Sequence, residues 1–557
     1  MDQVFTCLKY AWIFIEVLLV FNTMILVHEI GHFLAAKWRG LVVEELGIWF
    51  GKPLWRKKIN GVYYSFGTIP FGGFVKLPQM VDMTAVEGKT ESNTEELPKI
   101  SPLDKIIVAF AGPLFSFGLA CVFAVAVWQA GRPVSEPERT NIVGYVMPDG
   151  PADLAGIKPG DEILEVDGHP VSRFGGMGHD SIIWRVVRSE GPTVEVKVLR
   201  DENGQRIPLT FNAKPDEPHK EHWYSRGSLR MLEMAPRRTL IVVSVDPGSA
   251  GEKAGLKPDD QIQAINGHKL FEYEGIADYM KDDQSGKYEL TVKRGDQTLQ
   301  LPFTPGGVKV VGVPDYPNSP AKAAGLQKGD IITAIDGKSL PGTSAMKDYV
   351  QKHGNTEIAL DVTRDGKSMT IKITPRVPET APDGLHKAMT GIEWMDDDGI
   401  AFDGDGIMKS DNPTPLEQIH ASVSMIVDTF GAVFSPKSKI GFQQMGGPVM
   451  MMRAYFTMLA MPGGWKLALW FSVILNVNLA LLNMLPIPVL DGGHILLAII
   501  EAVRHRPVNI KVLEIIQGTC AVAIIGFMVM IMFFDVQDLP FVPKPPPPII
   551  FPASHQQ

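Results

Sequence analysis

Four stretches of this chain are long and apolar enough to cross a bilayer, and they limit what the rest can fold into. A spanning helix takes roughly 20 residues with few charges. Ile106 to Gly131, Leu467 to Leu490 and Ile515 to Phe534 contain no charged residue. The first stretch, Tyr10 to Ala36, carries polar exceptions, among them His28, Glu29 and His32 near its end. It has no basic start, and no Ala-x-Ala-like cleavage site follows, so it reads as a retained span rather than a signal peptide.

Lysine and arginine placement orients the spans. Lys37, Arg39, Lys52, Arg56, Lys57 and Lys58 follow span one, whereas only Lys9 precedes it. Arg504, Arg506 and Lys511 lie between spans three and four. Loops 37–105 and 491–514 are therefore expected in the cytoplasm. Both termini and the middle of the chain are expected outside, which in a bacterium means the periplasmic face of the inner membrane. A net charge of −9 leaves no basic footprint for nucleic acid. Cys7, Cys121 and Cys520 lie in or beside apolar runs, which argues against a disulfide framework.

The middle of the chain repeats itself three times. Gly150-Pro-Ala-Asp-Leu-Ala-Gly-Ile-Lys-Pro-Gly-Asp161 leads to Val166-Asp-Gly168. Gly248-Ser-Ala-Gly-Glu-Lys-Ala-Gly-Leu-Lys-Pro-Asp-Asp260 leads to Ile265-Asn-Gly267, and Ser319-Pro-Ala-Lys-Ala-Ala-Gly-Leu-Gln-Lys-Gly-Asp330 leads to Ile335-Asp-Gly337. Each reads as a short helix stopped by glycine, a tight turn, a strand and an Asp-Gly or Asn-Gly turn. The pattern resembles PDZ domains of the bacterial protease type, with approximate limits 137–216, 236–306 and 307–378. Asp259 stands where the other copies have glycine, so a different turn is expected there. Such units either capture extended peptides or act as spacers and a steric screen.

Between residues 416 and 434, Leu416, Ile419, Val423, Ile426, Phe430 and Val433 recur in steps of three and four, one face of a helix. It is expected to lie on the outer membrane surface, or alternatively to pack under the PDZ units. Residues 449–461 are apolar but short and hold Arg453, so they are not counted as a span. From Val42 to Leu77, repeated glycines with interleaved aromatics predict strands and hairpins, a small sheet re-entering the membrane beside span one. The proline run Pro543–Pro548 predicts an extended, disordered end.

The chemistry begins at His28-Glu29-Ile30-Gly31-His32. On a helix, positions i and i+4 share a face, so two imidazoles can converge on one zinc while the glutamate takes a proton from water. Ionisable groups inside a span are costly and mark functional sites. A catalytic zinc takes three protein ligands and keeps one position open. Asp491, in Asn483-Met-Leu-Pro-Ile-Pro-Val-Leu-Asp-Gly-Gly-His494, is the best third ligand: spans one and three run the same way and end at similar depth. Pro486 and Pro488 would break span three and turn Asp491 inward. Read without the histidine motif, Asp491 is a solvated loop acid. His494 belongs to the following turn or helix.

These motifs, with Gly112-Pro113 in span two and Gly446-Gly447-Pro448 before span three, resemble the site-2 protease family over nearly the whole chain. The resemblance implies a polytopic α-helical membrane protein: four transmembrane helices, a membrane-re-entrant β segment, and tandem α/β PDZ-like domains inserted between spans two and three. In order, these are span one to residue 36, a loop 37–105 with the re-entrant segment at 42–77, span two at 106–131, the PDZ-like units, a linker 379–465, span three at 466–490, span four at 515–534 and a tail 535–557. It implies zinc on His28, His32 and Asp491, with Glu29 as general base. It also implies a substrate-binding role for Asn483, Pro486 and Pro488, although Asn483 reads equally as a helix-packing amide. The implied partners are single-span membrane proteins trimmed outside beforehand, such as anti-sigma factors and remnant signal peptides, cut by regulated intramembrane proteolysis in envelope-stress signalling. Two departures stand out. The family usually has one or two PDZ domains where this chain has three. Trp49-Phe50-Gly51 replaces the frequent Gly-Phe-Gly, so that loop's substrate-strand role is not carried over. The rival readings are an inactive PDZ-bearing membrane scaffold with a structural metal site, which has no use for Glu29, and a metal transporter, for which membrane-embedded ligands are too few.

Overall fold

Ser101 accepts a hydrogen bond from the Asp104 backbone N–H, and the Asp104 carboxylate accepts from Ser101 N–H in return, a capping box that starts a long apolar helix. That helix, Pro102–Ala130, ends at Gly131 with φ 69°. It belongs to a computed structural model that describes residues 2–80, 100–176, 178–202, 204–216, 226–283, 286–380, 387–438, 440–505, 510–539 and 549–552. The proline run Pro543–Pro548 lies outside the described residues.

The membrane part, in chain order, begins with α1 (Asp2–Arg39) and α2 (Pro102–Ala130). After the middle region come α3 (Pro415–Phe434), α4 (Pro448–Ala460), α5 (Trp465–Asn483), α6 (Asp491–Arg504) and α7 (Ile510–Gln537). Among the described residues, four helices are long and apolar enough to cross a membrane: α1, α2, α5 and α7. α1 and α2 cross closely at Gly31, where a Cβ would come within 2.5 Å of the Ala111 carbonyl oxygen. On its other side α2 packs Ala120, Ala124 and Val127 against Val473 and Val477 of α5. Cys7, Cys121 and Cys520 are free thiols.

Between α1 and α2 lie β1 (Glu45–Phe50), β2 (Trp55–Ile59), β3 (Val62–Phe66) and β4 (Ile69–Lys76), in sheet order β2-β3-β1-β4. β2 and β3 form a hairpin through Asn60-Gly61, both at positive φ. β1 pairs parallel with β3 and antiparallel with β4, leaving β4 as the edge strand against α1.

Among the described residues the middle region forms three β/α units. Their turns follow the repeat: Gly156, Gly255 and Gly325 stop the short helices in the left-handed region, and Asp167-Gly168, Asn266-Gly267 and Asp336-Gly337 all take positive φ. Asp259 does not alter its turn. It adopts φ 69°, where Gly160 and Gly329 have 94° and 98°, because aspartate tolerates this conformation better than most side chains. A shared ion pair holds each unit. Arg200, Arg294 and Arg364 clamp the buried Asp161, Asp260 and Asp330 through two nitrogens and also bond the helix-stop carbonyls of Gly156, Gly255 and Gly325. Burial opposes ionisation of Asp260 and Asp330. The guanidinium and a backbone N–H outweigh it and hold both carboxyls below their usual range. This contribution to stability is therefore present above about pH 4 and fades only as pH falls through the lowered values.

Each unit is closed by a strand outside its repeat. Met234–Pro236 pairs with Val143–Val146 in the first, Ile400–Phe402 with Leu240–Val245 in the second, and Glu393–Asp396 with Val308–Gly312 in the third. The third unit is thus nested within the second, and the 379–465 segment supplies strands to both. Arg132–Val134 pairs with Lys409–Asp411 where the chain leaves α2 and returns toward α3.

α3 touches both the membrane helices and the first unit. Its Ile419, Val423 and Ile426 pack with the α2–α5 cluster, while Asp428 pairs with Arg188 of the first unit at 2.8 Å. Ile419, Val423 and Ile426 are thus partly covered by protein while Leu416 stays 77% exposed, and the helix bridges the first unit and the membrane helices. Similarly, much of the 491–514 loop is the helix α6, which packs on α2.

Candidate metal centre

His28 and His32 lie one turn apart on α1, both buried, with Nε2 atoms 3.2 Å from each other. Each ring is oriented by α2. His28 Nδ1 lies 3.0 Å from Ser116 Oγ, and His32 Nδ1 lies 2.8 Å from the Val108 carbonyl oxygen. Val108, Gly112 and Ser116 are spaced by four and share one face of α2. Gly112 sits directly over the imidazoles: a Cβ there would lie 2.8 Å from His28 Nε2.

Asp491 arrives from the break between α5 and α6. The helix stops at Asn483, Pro486 and Pro488 fall in the irregular stretch, and Asp491 opens α6. Glycine is required immediately after it, since a Cβ at Gly492 or Gly493 would strike the backbone of residues 484–488. The Asp491 carboxylate consequently sits with Oδ2 3.2 Å from His28 Nε2 and Oδ1 3.4 Å from His32 Nε2. The ligand atoms of His28, His32 and Asp491 lie within 4.8 Å of one another.

This donor set fits a cation. His32 Nδ1 faces a carbonyl, so in the neutral ring it carries the proton and Nε2 presents a lone pair. That lone pair faces a carboxylate, another acceptor, and Asp491 Oδ2 has no hydrogen-bond donor. Two imidazole nitrogens and a carboxylate oxygen are an ordinary zinc set with room for a fourth ligand. Asn483 Nδ2 lies 3.4 Å from His28 Nε2, at the rim of the cluster. Glu29 is not among the clustered ligands. Gly73 of β4 lies beside it, a Cβ there falling 3.2 Å from Glu29 Cγ. Pro486 is exposed; the Pro488 carbonyl accepts from Gln517 Nε2 at 3.4 Å. His494 points elsewhere, into a cavity lined with Met80, Lys105 and Glu501.

The family profile of peptidase family M50 matches residues 16–528. The chain belongs to this family. M50 relatives cover almost the entire chain. A putative zinc metalloprotease of Vibrio cholerae is 25% identical over 538 residues, covering 95% of this chain and 99% of its own length. Regulator of sigma-E protease RseP of Escherichia coli is 24% identical over 536 residues, with 96% and 100% covered. A putative zinc metalloprotease of Chlamydia trachomatis is 26% identical, with 94% and 98% covered. Over 16% of the chain there is also a match to the PDZ domain of the SdrC-like protein from Listeria monocytogenes, at 27% identity, 87% of that chain and a TM-score of 0.14. The chain is therefore an M50 metalloendopeptidase of a zinc-dependent family, with apolar helices that fit a membrane protease.

Ser116 escaped the sequence-based assignment, although its four-residue step from Gly112 was visible. Partners that orient a metal-bound histidine typically contribute 10–100-fold in affinity or activity. Ser116→Ala should accordingly lower zinc affinity or cleavage by about 10-fold or more, with helix content unchanged by circular dichroism. Unaltered zinc titration and rate would show that the hydroxyl does no orienting.

Proposed function

We propose that this enzyme hydrolyses peptide bonds within transmembrane segments of single-span proteins already trimmed outside the membrane. The observation that carries the proposal is the cluster of buried His28 and His32 with half-buried Asp491, set among apolar helices with Glu29 beside it. Zinc held by these three side chains supplies a Lewis acid for the scissile carbonyl. Glu29 takes the proton from the attacking water and passes it to the leaving amine. Ser116 and the Val108 carbonyl fix the imidazoles, and Asn483 holds the unwound substrate at the rim of the site. Pro486 and Pro488 keep residues 484–490 out of helix, which leaves room for that segment.

The lysine and arginine distribution supports a bacterial inner-membrane enzyme with its site toward the cytoplasm and its PDZ array, at about 137–216, 236–306 and 307–378, in the periplasm. Anti-sigma-factor-type proteins and remnant signal peptides suit the site, as does a role in envelope-stress signalling, in keeping with the names of the sigma-E protease relatives. The deciding experiment uses purified full-length chain and a trimmed single-span substrate. Cleavage should stop on chelation and return with zinc. Cleavage that persists in metal-free protein would sink the proposal.

The array would act as a size screen. The strands Arg132–Val134 and Lys409–Asp411 pair at its base, so replacing residues 135–408 with an Asn-Gly hairpin turn removes it at a natural junction. The excised enzyme should cut untrimmed substrates within about tenfold of trimmed ones, a margin of 1.4 kcal/mol. If trimmed substrate is cut and untrimmed substrate stays intact, peptide capture replaces screening.

A further inference from the structure

Beyond α7 the chain returns to the third PDZ unit, where Phe551 is fully buried at 0% exposure and Ile549 at 5%. The contact is built from both sides. Phe551 N–H donates to the Pro317 carbonyl at 3.1 Å, and Asn318 Nδ2 donates to the Phe551 carbonyl at 3.0 Å. Ile550 N–H donates to the Thr380 carbonyl at 3.0 Å, and Glu379 N–H donates back to the Ile550 carbonyl at 2.8 Å. Arg376 closes the far end on the Pro552 carbonyl at 3.0 Å. The Phe551 ring packs near Tyr316 and against Gly391, which has φ 81° and where a Cβ would lie 3.3 Å from the ring. Extended backbone bonded on two sides with one aromatic anchor is how a peptide ligand is held.

A second contact ties the end of α7 to the first unit. Near the end of α7, Asp535 is buried and accepts from Arg226 at 3.0 Å, while Asp538 lies 3.2 Å from the same guanidinium. Arg226 belongs to the segment between the first unit's main hairpin and its closing strand. The chain from Leu539 to Ile549 can span at most about 35 Å, so docking the tail limits how far the third unit can travel from α7.

We infer that residues 549–552 are a built-in ligand of the third PDZ unit, a strap that ties the PDZ array to the last span. The strap stands on the contacts alone. Its consequence, that releasing it admits bulkier substrates, rests on the size-screen reading above.

The test uses full-length enzyme with Cys7, Cys121 and Cys520 replaced by alanine. Thr380 and Ile550 face each other as an antiparallel pair, a spacing that suits a disulfide. Thr380→Cys with Ile550→Cys should crosslink within one chain on mild oxidation. Adding Phe551→Asp should cut the yield by roughly tenfold or more, because a buried aromatic anchor becomes a charge. No crosslink, an equal yield with Phe551→Asp, or a crosslink between two chains would each overturn the strap. In the cleavage assay, Phe551→Asp should cut untrimmed substrate several-fold faster than the crosslinked enzyme, with equal rates on trimmed substrate. Equal rates on untrimmed substrate would overturn the access role. Loss of trimmed-substrate cleavage in the unmutated enzyme would instead count against the protease reading, and the crosslink would still judge the strap.

Discussion

Glu29→Gln should abolish detectable cleavage while zinc content stays near one per chain. Glutamine keeps the length and shape of the side chain but cannot accept a proton, so what is lost is base chemistry alone. General bases typically contribute 10²–10⁴-fold, and a buried site offers water no obvious substitute. The geometry makes the separation clean. Glu29 lies between His28 and His32 in sequence yet outside their ligand cluster, against Gly73 of β4. The amide still fits beside a glycine, so the α1–β4 contact should survive. Glu29→Asp is the companion: the carboxylate returns but falls short by one methylene, and a partial rate is expected. The measurements are zinc per chain by metal analysis and turnover of a trimmed single-span substrate. A Glu29→Gln enzyme with full activity removes Glu29 from the mechanism. One without zinc would place Glu29 among the groups that hold the metal.

How much of this could be seen in the sequence depended on the range of the physics involved. Four apolar helices were legible because hydrocarbon admits almost no charge, a rule that three segments obey throughout and the first breaks only at Glu16 and within its His28–His32 motif. His28 and His32 were legible because a helix turns an i,i+4 spacing into a shared face. Asp491 required two inferences, a motif and a matching depth, and the pair of glycines that seat it against residues 484–488 gave no sign of that packing. Ser116 was missed because a lone serine in an apolar helix has no local mark of function; its partner is 88 positions away. The closing strands of the three middle units were missed for the same reason, being three or four residues long and paired with distant segments. The face of α3 was identified correctly as apolar. Amphipathicity shows that a face is covered but not by what, and here α2 and α5 cover part of it, at Ile419, Val423 and Ile426. Asp259 was expected to change its turn because glycine is the usual left-handed residue, but aspartate is one of the few that can take its place.

Asp491→Ala should lose metal and activity together. With His28 and His32 alone, zinc keeps two protein ligands, one fewer than a catalytic site normally has. Zinc per purified chain should fall by roughly tenfold or more, since even outer partners of a metal contribute 10–100-fold, and cleavage should become undetectable. Asp491 also opens α6, where a carboxylate favours the helix N-terminus by about 0.3–1 kcal/mol, so part of any effect could come from fraying. Asp491→Asn separates the two. Asparagine preserves the shape but is a poor zinc ligand, so zinc should be lost, while the thermal stability of the metal-free protein reports any fraying of α6 on its own. Asp491→His offers imidazole at a different reach and should recover some metal with little activity. His494→Ala is the contrasting variant. His494 is one turn along α6 from Asp491 but faces the cavity of Met80, Lys105 and Glu501, so its removal should leave zinc content unchanged. Metal analysis of the four purified variants decides the matter. Normal zinc in Asp491→Ala together with loss in His494→Ala would make His494 the third ligand, and α6 would have to rotate about its axis to bring that ring to His28 and His32.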